Sequence, residues 1–138
     1  MFRDWLAGHP PPDGAFRQSV AGVAERVCAG EPFFPAVWEL LDEFALLATD
    51  DQRLRALAAR PPTTGDPRQG AYLGALAEHL AFATGVDRPA WTCAPERFLD
   101  AAWFVSDVRG FRAIAIAESP AAFRRRGIFI ARSSLQRC

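Results

Sequence analysis

The chain has 138 residues, half of them apolar and 23% charged, a composition typical of a globular domain and too apolar for a disordered chain. All 16 basic residues are arginines, which balance 16 acidic residues, and the absence of lysine excludes a P-loop lysine and Schiff-base chemistry. The charge is uneven: residues 1–96 hold eight arginines and 13 acidic residues, a net −5, and residues 97–138 hold eight and three, a net +5.

The N-terminal part of the chain predicts an extended lead followed by helices. Residues 1–12 end in three prolines, which favour an extended segment outside the folded body. Asp13 can cap a first helix, for which Gly30 is a typical C-terminal stop. A second helix is predicted from about Pro32 or Pro35 to Ala48, because an apolar stripe runs along it. The capping box in residues 49–52 then predicts the start of a third helix.

The third and fourth helices have clear sequence signals. The third has Leu54, Leu57 and Ala58 on its predicted inner side. Asp66 and Pro67 are a typical cap and first residue of the fourth helix, which should end before Gly85. Because its apolar arc is unusually wide, we expect this helix to be central in the fold.

Beyond Gly85 the elements become shorter. Residues 92–102 predict a short helix, and a helix of about two turns should follow Ser119 and end at Gly127. Two compact apolar runs, 111–117 and 127–131, are too short for periodicity to distinguish strands from buried helical turns.

Together these elements predict a mainly α fold, a compact single-domain helical bundle over residues 1–138. The lead is followed by N-terminal helices in residues 13–60 and by a C-terminal part in residues 66–138. Whether the C-terminal part also contains a short two-stranded β element stays open, because the two apolar runs allow either structure.

Cysteine and histidine usage predicts neither a disulfide framework nor a metal site. Cys28, Cys93 and Cys138 are scattered, which favours a reducing cytoplasm. His9 and His79 are too few and too far apart for a typical metal-ligand set, so no metal, cofactor or catalytic residue is predicted. The N-terminus lacks a signal-peptide pattern, and no apolar run approaches the ~20 residues that span a bilayer. We therefore expect a cytoplasmic protein without a membrane partner.

His79 is the strongest single candidate for chemistry. It falls within the apolar arc of the fourth helix, beside Tyr72 and Leu76, and this position favours a structural histidine. An alternative is a small-molecule binder or an enzyme that uses His79 with a carboxylate. That alternative requires His79 to line an open pocket.

Aromatic residues and arginines concentrate in the last third of the chain, and this combination is typical of recognition surfaces. The tryptophans near short, irregular elements should be partly exposed. We predict that a partner contacts the following residues: Trp91, Trp103, Phe104, Arg112, Arg124, Arg125 and Arg126. The three consecutive arginines have alternatives, since they can also lie in solvent, pair with the acidic N-terminal half, or contact nucleic acid.

An ordered set of short motifs carries a resemblance to a family. The motifs are Gly65-Asp66-Pro67-Arg68, Ala75-Leu76-Ala77-Glu78-His79-Leu80, Pro89-Ala90-Trp91-Thr92, Pro95-Glu96-Arg97-Phe98-Leu99 and the segment from Glu118 to Ile130. Over about residues 60–138 the chain resembles a recurring family of uncharacterised proteins from GC-rich bacteria such as actinobacteria. Members stand alone, carry an N-terminal helix-turn-helix, or are encoded beside nucleotidyltransferase-like genes of toxin–antitoxin type. The resemblance implies a partner-binding role, including neutralisation of a toxin-like enzyme, and it implies no catalytic residues.

The favoured hypothesis is a non-enzymatic protein–protein interaction module, antitoxin-like or regulatory, that binds a protein partner through its aromatic and arginine-rich C-terminal region. The main alternative is a nucleic-acid-binding transcriptional regulator that uses the same basic residues. A helix-turn-helix over residues 21–48 is disfavoured, because its second helix would turn Glu39, Asp42 and Glu43 toward phosphate.

Overall fold

The computed structural model describes residues 18–135, so the predictions for residues 1–12, Asp13 and Cys138 lie outside the described residues. Six α-helices and one pair of two-residue strands form the described part of the chain, which confirms the predicted mainly α fold. The helices are α1 (Val20–Cys28), α2 (Phe33–Phe44), α3 (Asp50–Ala58), α4 (Pro67–Thr84), α5 (Arg112–Glu118) and α6 (Ala121–Arg124). The strands β1 (Trp103–Phe104) and β2 (Ile128–Phe129) pair in parallel.

The local signals at the ends of the middle helices are confirmed. The Thr49 side chain accepts a hydrogen bond from the backbone N–H of Gln52 at 3.2 Å, and Gln52 reaches back to complete the capping box of α3. Asp66 caps α4, which has Pro67 at its first position. The helix ends at Gly85, whose φ of 74° lies in the left-handed region that favours glycine.

Helix α4 is the central element, as its wide apolar arc predicts. It contacts α3 and α6 and the two turns of 3-10 helix that follow it, Ala90–Cys93 and Pro95–Arg97. The Tyr72 ring joins the two parts of the core, because it packs edge-on against Phe33 at 5.5 Å and against Phe123 at 5.1 Å. Burial raises the pKa of the Tyr72 phenol.

Helix α4 approaches its neighbours most closely at Gly74. A Cβ atom at that position would lie 3.0 Å from the Arg97 Cβ and 3.3 Å from the Arg126 Nε. The absent side chain therefore lets two arginine side chains cross the surface of α4. This close approach places Arg126 next to the core rather than in solvent.

Helix α1 begins at Val20, and Ser19 is its N-cap. One predicted helix further along the chain is interrupted in the structure. Residues 92–102 form no continuous helix, because Ala94 has an extended backbone. Ala94 precedes Pro95, and the α conformation is disfavoured for a residue that precedes a proline. The chain instead makes the two separate 3-10 turns on either side of Ala94.

The inner side of α3 agrees with the prediction only in part. Leu57 is buried as predicted, whereas Leu54 is 38% exposed and Ala58 is exposed, and Ala56 is buried instead. Leu57 lies against the core, and its carbonyl oxygen accepts a hydrogen bond from the indole of Trp91.

The two ambiguous apolar runs adopt different structures. The run 111–117 is mostly helix α5, whereas the run 127–131 contains strand β2. The partner of β2 is β1, so the parallel pairing forces a crossover connection that carries α5 and α6. Helix α6 has four residues and is shorter than the predicted two turns, and Gly127, at φ 79°, follows it. None of the helices between residues 18 and 135 is long and apolar enough to span a membrane.

Candidate functional site

Trp91 is buried, so the prediction that it is partly exposed is wrong. The residue is only 8% exposed, and its indole N–H donates a hydrogen bond to the Leu57 carbonyl oxygen at 2.9 Å. The Arg97 guanidinium lies 5.1 Å from the centre of the indole ring. The indole N–H is therefore satisfied inside the fold, and the Trp91 ring packs within the core rather than on an exposed surface.

Trp103 and Phe104 form β1 and are half-buried, in agreement with the prediction of partial exposure. Phe104 stacks on Phe129, the neighbouring aromatic residue of β2, with ring centres 5.0 Å apart. The Arg112 guanidinium covers the Phe104 ring at 5.2 Å, and Arg68 covers the Trp103 ring at 5.3 Å. Both strand residues thus lie in shallow aromatic–arginine pairs near the surface.

The three consecutive arginines lie in three different environments. Arg124 and Arg125 are exposed, but Arg126 is completely buried, which corrects the prediction that all three form a contact patch. The cause is the turn after α6, which directs Arg126 toward Gly74 and the core. Replacing all three by alanine would therefore disturb the fold as well as any surface.

The buried guanidinium of Arg126 is held by oxygen atoms from three elements. Its Nη1 donates to the Ala122 carbonyl at 2.7 Å, and its Nη2 donates to the Thr92 carbonyl at 2.6 Å and to Glu78 at 3.2 Å. The Phe98 ring lies 4.6 Å from the guanidinium carbon. Burial lowers the pKa of Arg126, and the hydrogen bond and charge of Glu78 oppose this shift.

Glu78 is the acidic partner of three arginines. One of its oxygens accepts from Arg125 at 2.8 Å and from Arg88 and Arg126 at 3.2 Å. Because Glu78 belongs to the acidic part of the chain, these contacts favour internal pairing of the two oppositely charged halves. The internal alternative thus accounts for Arg125 and Arg126.

Arg124 caps the end of α5. Its Nη2 donates to the carbonyl oxygens of Ile116 at 3.2 Å and Ser119 at 3.1 Å. Cationic side chains stabilise the C-terminal carbonyls of helices in this way. The buried Ser119 hydroxyl also accepts a hydrogen bond from the Ile130 N–H at 2.9 Å, which fixes the end of α5 to the end of β2.

Helix α5 and the turn before it expose large apolar side chains that sequence reasoning missed as a site. Val108 is 55% exposed, Phe111 48%, Ile114 42% and Ile116 52%. Ala115 is the single buried residue of α5, so the helix lies on the body of the protein through one small side chain. The available signal was the spacing of the isoleucines, which lie two residues apart and cannot share one buried face of a helix.

His79 is half-buried and lines a pocket, which meets the condition set for its functional alternative. Its ring packs edge-on against Phe123, with ring centres 6.1 Å apart. Burial lowers the pKa of His79, and the nearby positive charge of Arg132 lowers it further. Within residues 18–135 no three His, Cys, Asp or Glu side chains converge as metal ligands.

Comparisons of this chain with protein-family models, with curated proteins and with solved structures find no match. The resemblance of residues 60–138 to a family from GC-rich bacteria therefore stays a prediction.

Proposed function

We propose that this chain is a non-enzymatic protein-interaction module, which binds a partner protein through Phe104 and residues 108–116, here named the 108–116 surface. The observation that carries the proposal is the exposure of Val108, Phe111, Ile114 and Ile116 within nine consecutive residues. A group of large apolar side chains left exposed in one short segment is typical of interaction sites.

Burial of these side chains by a partner would contribute a favourable free energy of binding. Full burial of an isoleucine or phenylalanine side chain contributes about 1.5–3 kcal/mol, and the fold itself leaves about half of each side chain in water. Phe111 and Ile114 lie one turn apart, so both can enter the same cleft of a partner. Ile116 lies on the opposite flank of α5 and would extend the contact.

The charges around the 108–116 surface indicate an acidic partner. Arg109 and Arg112 are exposed and make no ion pair within the described residues, although Arg112 covers the Phe104 ring. The C-terminal part of the chain has a net positive charge, which would attract a partner whose apolar cleft is rimmed by carboxylates. A second copy would bring like charges together. A toxin-like enzyme is the class of partner that the resemblance implies.

The nucleic-acid alternative has less support from the side-chain geometry. It relies on the three consecutive arginines, but Arg126 is buried, Arg125 pairs with Glu78 and Arg124 caps α5. Phosphate binding by these guanidiniums would compete with contacts inside the fold. The exposed isoleucines beside them are also unsuited to a phosphate backbone.

The test compares partner capture by the wild-type chain with capture by an Ile114→Glu/Ile116→Glu variant, followed by titration of the purified partner. We expect the variant to weaken binding by more than about tenfold, which corresponds to about 1.4 kcal/mol. Leu46→Glu is the matched control, because Leu46 is 80% exposed and lies outside the 108–116 surface. A partner that binds the variant as tightly as the wild type would contradict the proposal.

Charge reversal tests the nature of the partner. Arg109→Glu/Arg112→Glu should slow association with an acidic partner, and the wild-type rate should fall as salt screens the attraction. Self-association of the chain is the remaining alternative for this surface, and analytical ultracentrifugation of the isolated chain tests it. A dimer that the Ile114→Glu/Ile116→Glu variant abolishes would assign the surface to self-association instead.

A further inference from the structure

A second site lies at the C-terminal end of α4, apart from the 108–116 surface. A pocket of about 1000 Å³ opens between the last turns of α4, the start of α6 and the 3-10 turn Arg132–Leu135. Its size is at the upper end of the range for small-molecule sites. It contains no residue of the 108–116 surface.

The pocket has an apolar wall. Phe82 is 87% exposed although it belongs to the central helix, and it lines the pocket together with Val86 and Leu135. Ala122 extends this wall at the start of α6. A phenylalanine ring left in water at the rim of a concave site indicates a ligand with an apolar part.

Two polar groups beside this wall can hold an anion. The Arg132 guanidinium makes no hydrogen bond or ion pair to any residue between 18 and 135, although its backbone N–H contacts Glu118. Its charge acts on His79, whose half-buried ring lines the same pocket. A neutral imidazole can donate one hydrogen bond, and a free guanidinium can donate two parallel ones to a carboxylate.

The charged side chains that line the pocket balance one another. Glu78 lines the pocket, but three guanidiniums already surround its carboxylate, so it adds little repulsion for an anion. The remaining acidic group of the lining is Asp87. Arg88 and Arg132 balance Glu78 and Asp87 in the lining, while Arg125 and Arg126 pair with Glu78 from outside it, so the guanidinium of Arg132 stays available to an anion.

We propose that this pocket binds a small amphipathic carboxylate, whose apolar chain packs on Phe82, Val86 and Leu135 and whose carboxylate pairs with Arg132 beside His79. A single carboxylate matches the one free guanidinium, whereas a dianion would face Asp87 with only partial compensation. This activity goes beyond partner binding and uses separate residues, so each proposal can fail without the other.

The first experiment measures binding of decanoate to the full chain by calorimetry, with decanol and decyltrimethylammonium as uncharged and cationic controls. We expect decanoate to bind with Kd below about 1 mM, and both controls to bind at least about tenfold more weakly. The His79 ring resonance should also titrate at higher pH in the complex, because the carboxylate neutralises Arg132. Equal binding of decanol, an unshifted His79 titration, or no decanoate binding would each overturn the proposal.

Variants then locate the site. Arg132→Gln should weaken decanoate binding by about tenfold, as expected for a lost charged hydrogen-bond pair. Phe82→Ala should also weaken it without unfolding the protein, because Phe82 is largely exposed. Arg109→Gln and Ile114→Glu/Ile116→Glu should leave decanoate affinity unchanged. If Arg109→Gln or Ile114→Glu/Ile116→Glu weakens decanoate binding as much as Arg132→Gln does, the ligand binds elsewhere and the proposal is wrong.

Discussion

Arg126 shows how one side chain can be both charged and structural. Burying a guanidinium carries a desolvation cost of several kcal/mol, and here Glu78, two backbone carbonyls and the Phe98 ring offset that cost. The Nε of Arg126 is buried without a hydrogen-bond partner. The site is therefore incompletely satisfied, and its stability depends on the Nη contacts.

Replacing Arg126 should destabilise the protein strongly. Arg126→Met leaves the buried carbonyl oxygens of Thr92 and Ala122 without their donor, so we expect a loss of about 2–4 kcal/mol in the free energy of unfolding. Arg125→Met is the matched control, since Arg125 contacts the same carboxylate but is 45% exposed and should lose less than about 1 kcal/mol. Urea unfolding measures both, and equal losses would show that burial of Arg126 does not matter.

His79 should make stability depend on pH. Its pKa in the folded protein lies below the usual 6.5, because burial and Arg132 disfavour the charged ring. Between the folded pKa and about 6.5 the unfolded chain binds more protons, so the free energy of unfolding should fall as pH drops through this window. His79→Gln should remove this pH dependence, as measured by urea unfolding from pH 7.5 to pH 5.

Two measurements check why the pKa of His79 is lowered and whether His79 causes the pH dependence. Arg132→Gln should raise the pKa of His79 in an NMR titration, because it removes the neighbouring charge. The comparison with His79→Gln isolates this ring from His9, which is present in both proteins. A wild-type protein and a His79→Gln variant with the same pH dependence would contradict the prediction.

At the scale of elements, the close packing of α4 predicts opposite effects for two glycines of the same helix. Alanine normally stabilises a helix interior by about 0.5–1 kcal/mol relative to glycine, and Gly70→Ala should show this gain because its nearest neighbour would lie 3.6 Å from the new Cβ. Gly74→Ala should instead destabilise the protein, because its Cβ would meet the Arg97 Cβ at 3.0 Å. Thermal unfolding of both variants distinguishes the signs, and a stabilised Gly74→Ala would contradict the packing.

Elements with local signals could be predicted from the sequence, and elements fixed by long-range contacts could not. Thr49 and Asp66 satisfy backbone N–H groups within three residues of themselves, so their caps are visible in the sequence. The inner side of α3, by contrast, was predicted only in part, because Leu57 is buried as expected but Leu54 and Ala58 are exposed. The rotation of this helix depends in part on the hydrogen bond from Trp91 to the Leu57 carbonyl, which spans 34 residues of the chain.

The same distinction applies to the candidate site. The sequence predicted that Phe104 and Arg112 lie in a partly exposed aromatic and basic region, as they do. It could not place Arg126 in the core, because that placement depends on Gly74, 52 positions earlier in the chain. The exposed isoleucines of α5 were ambiguous for a related reason, since their surroundings come from β2 and the end of α6.

At the scale of the whole molecule, one side chain connects the two parts of the core. Tyr72 packs against Phe33 and Phe34 on one side and against Trp103 and Phe123 on the other. We therefore expect one cooperative unfolding transition for the whole chain. This expectation agrees with the predicted single-domain organisation.

Coincident denaturation curves would test this cooperativity. A Trp5→Phe/Trp38→Phe variant leaves only Trp91 and Trp103, so its fluorescence reports the C-terminal part, while far-UV circular dichroism reports mainly the longer helices. We expect the two signals to have the same urea midpoint. Two separate midpoints would show that the N-terminal and C-terminal parts fold independently.

The crossover between the two parallel strands has an evolutionary consequence. Residues 106–118 follow β1 along the surface and contribute a single buried side chain, Ala115. The next residue, Ser119, is buried again. Mutations in this stretch are therefore nearly free of the constraint that folding places on the rest of the sequence. Lineages that share this scaffold should diverge fastest here, and new binding specificities can arise without compensating changes in the core.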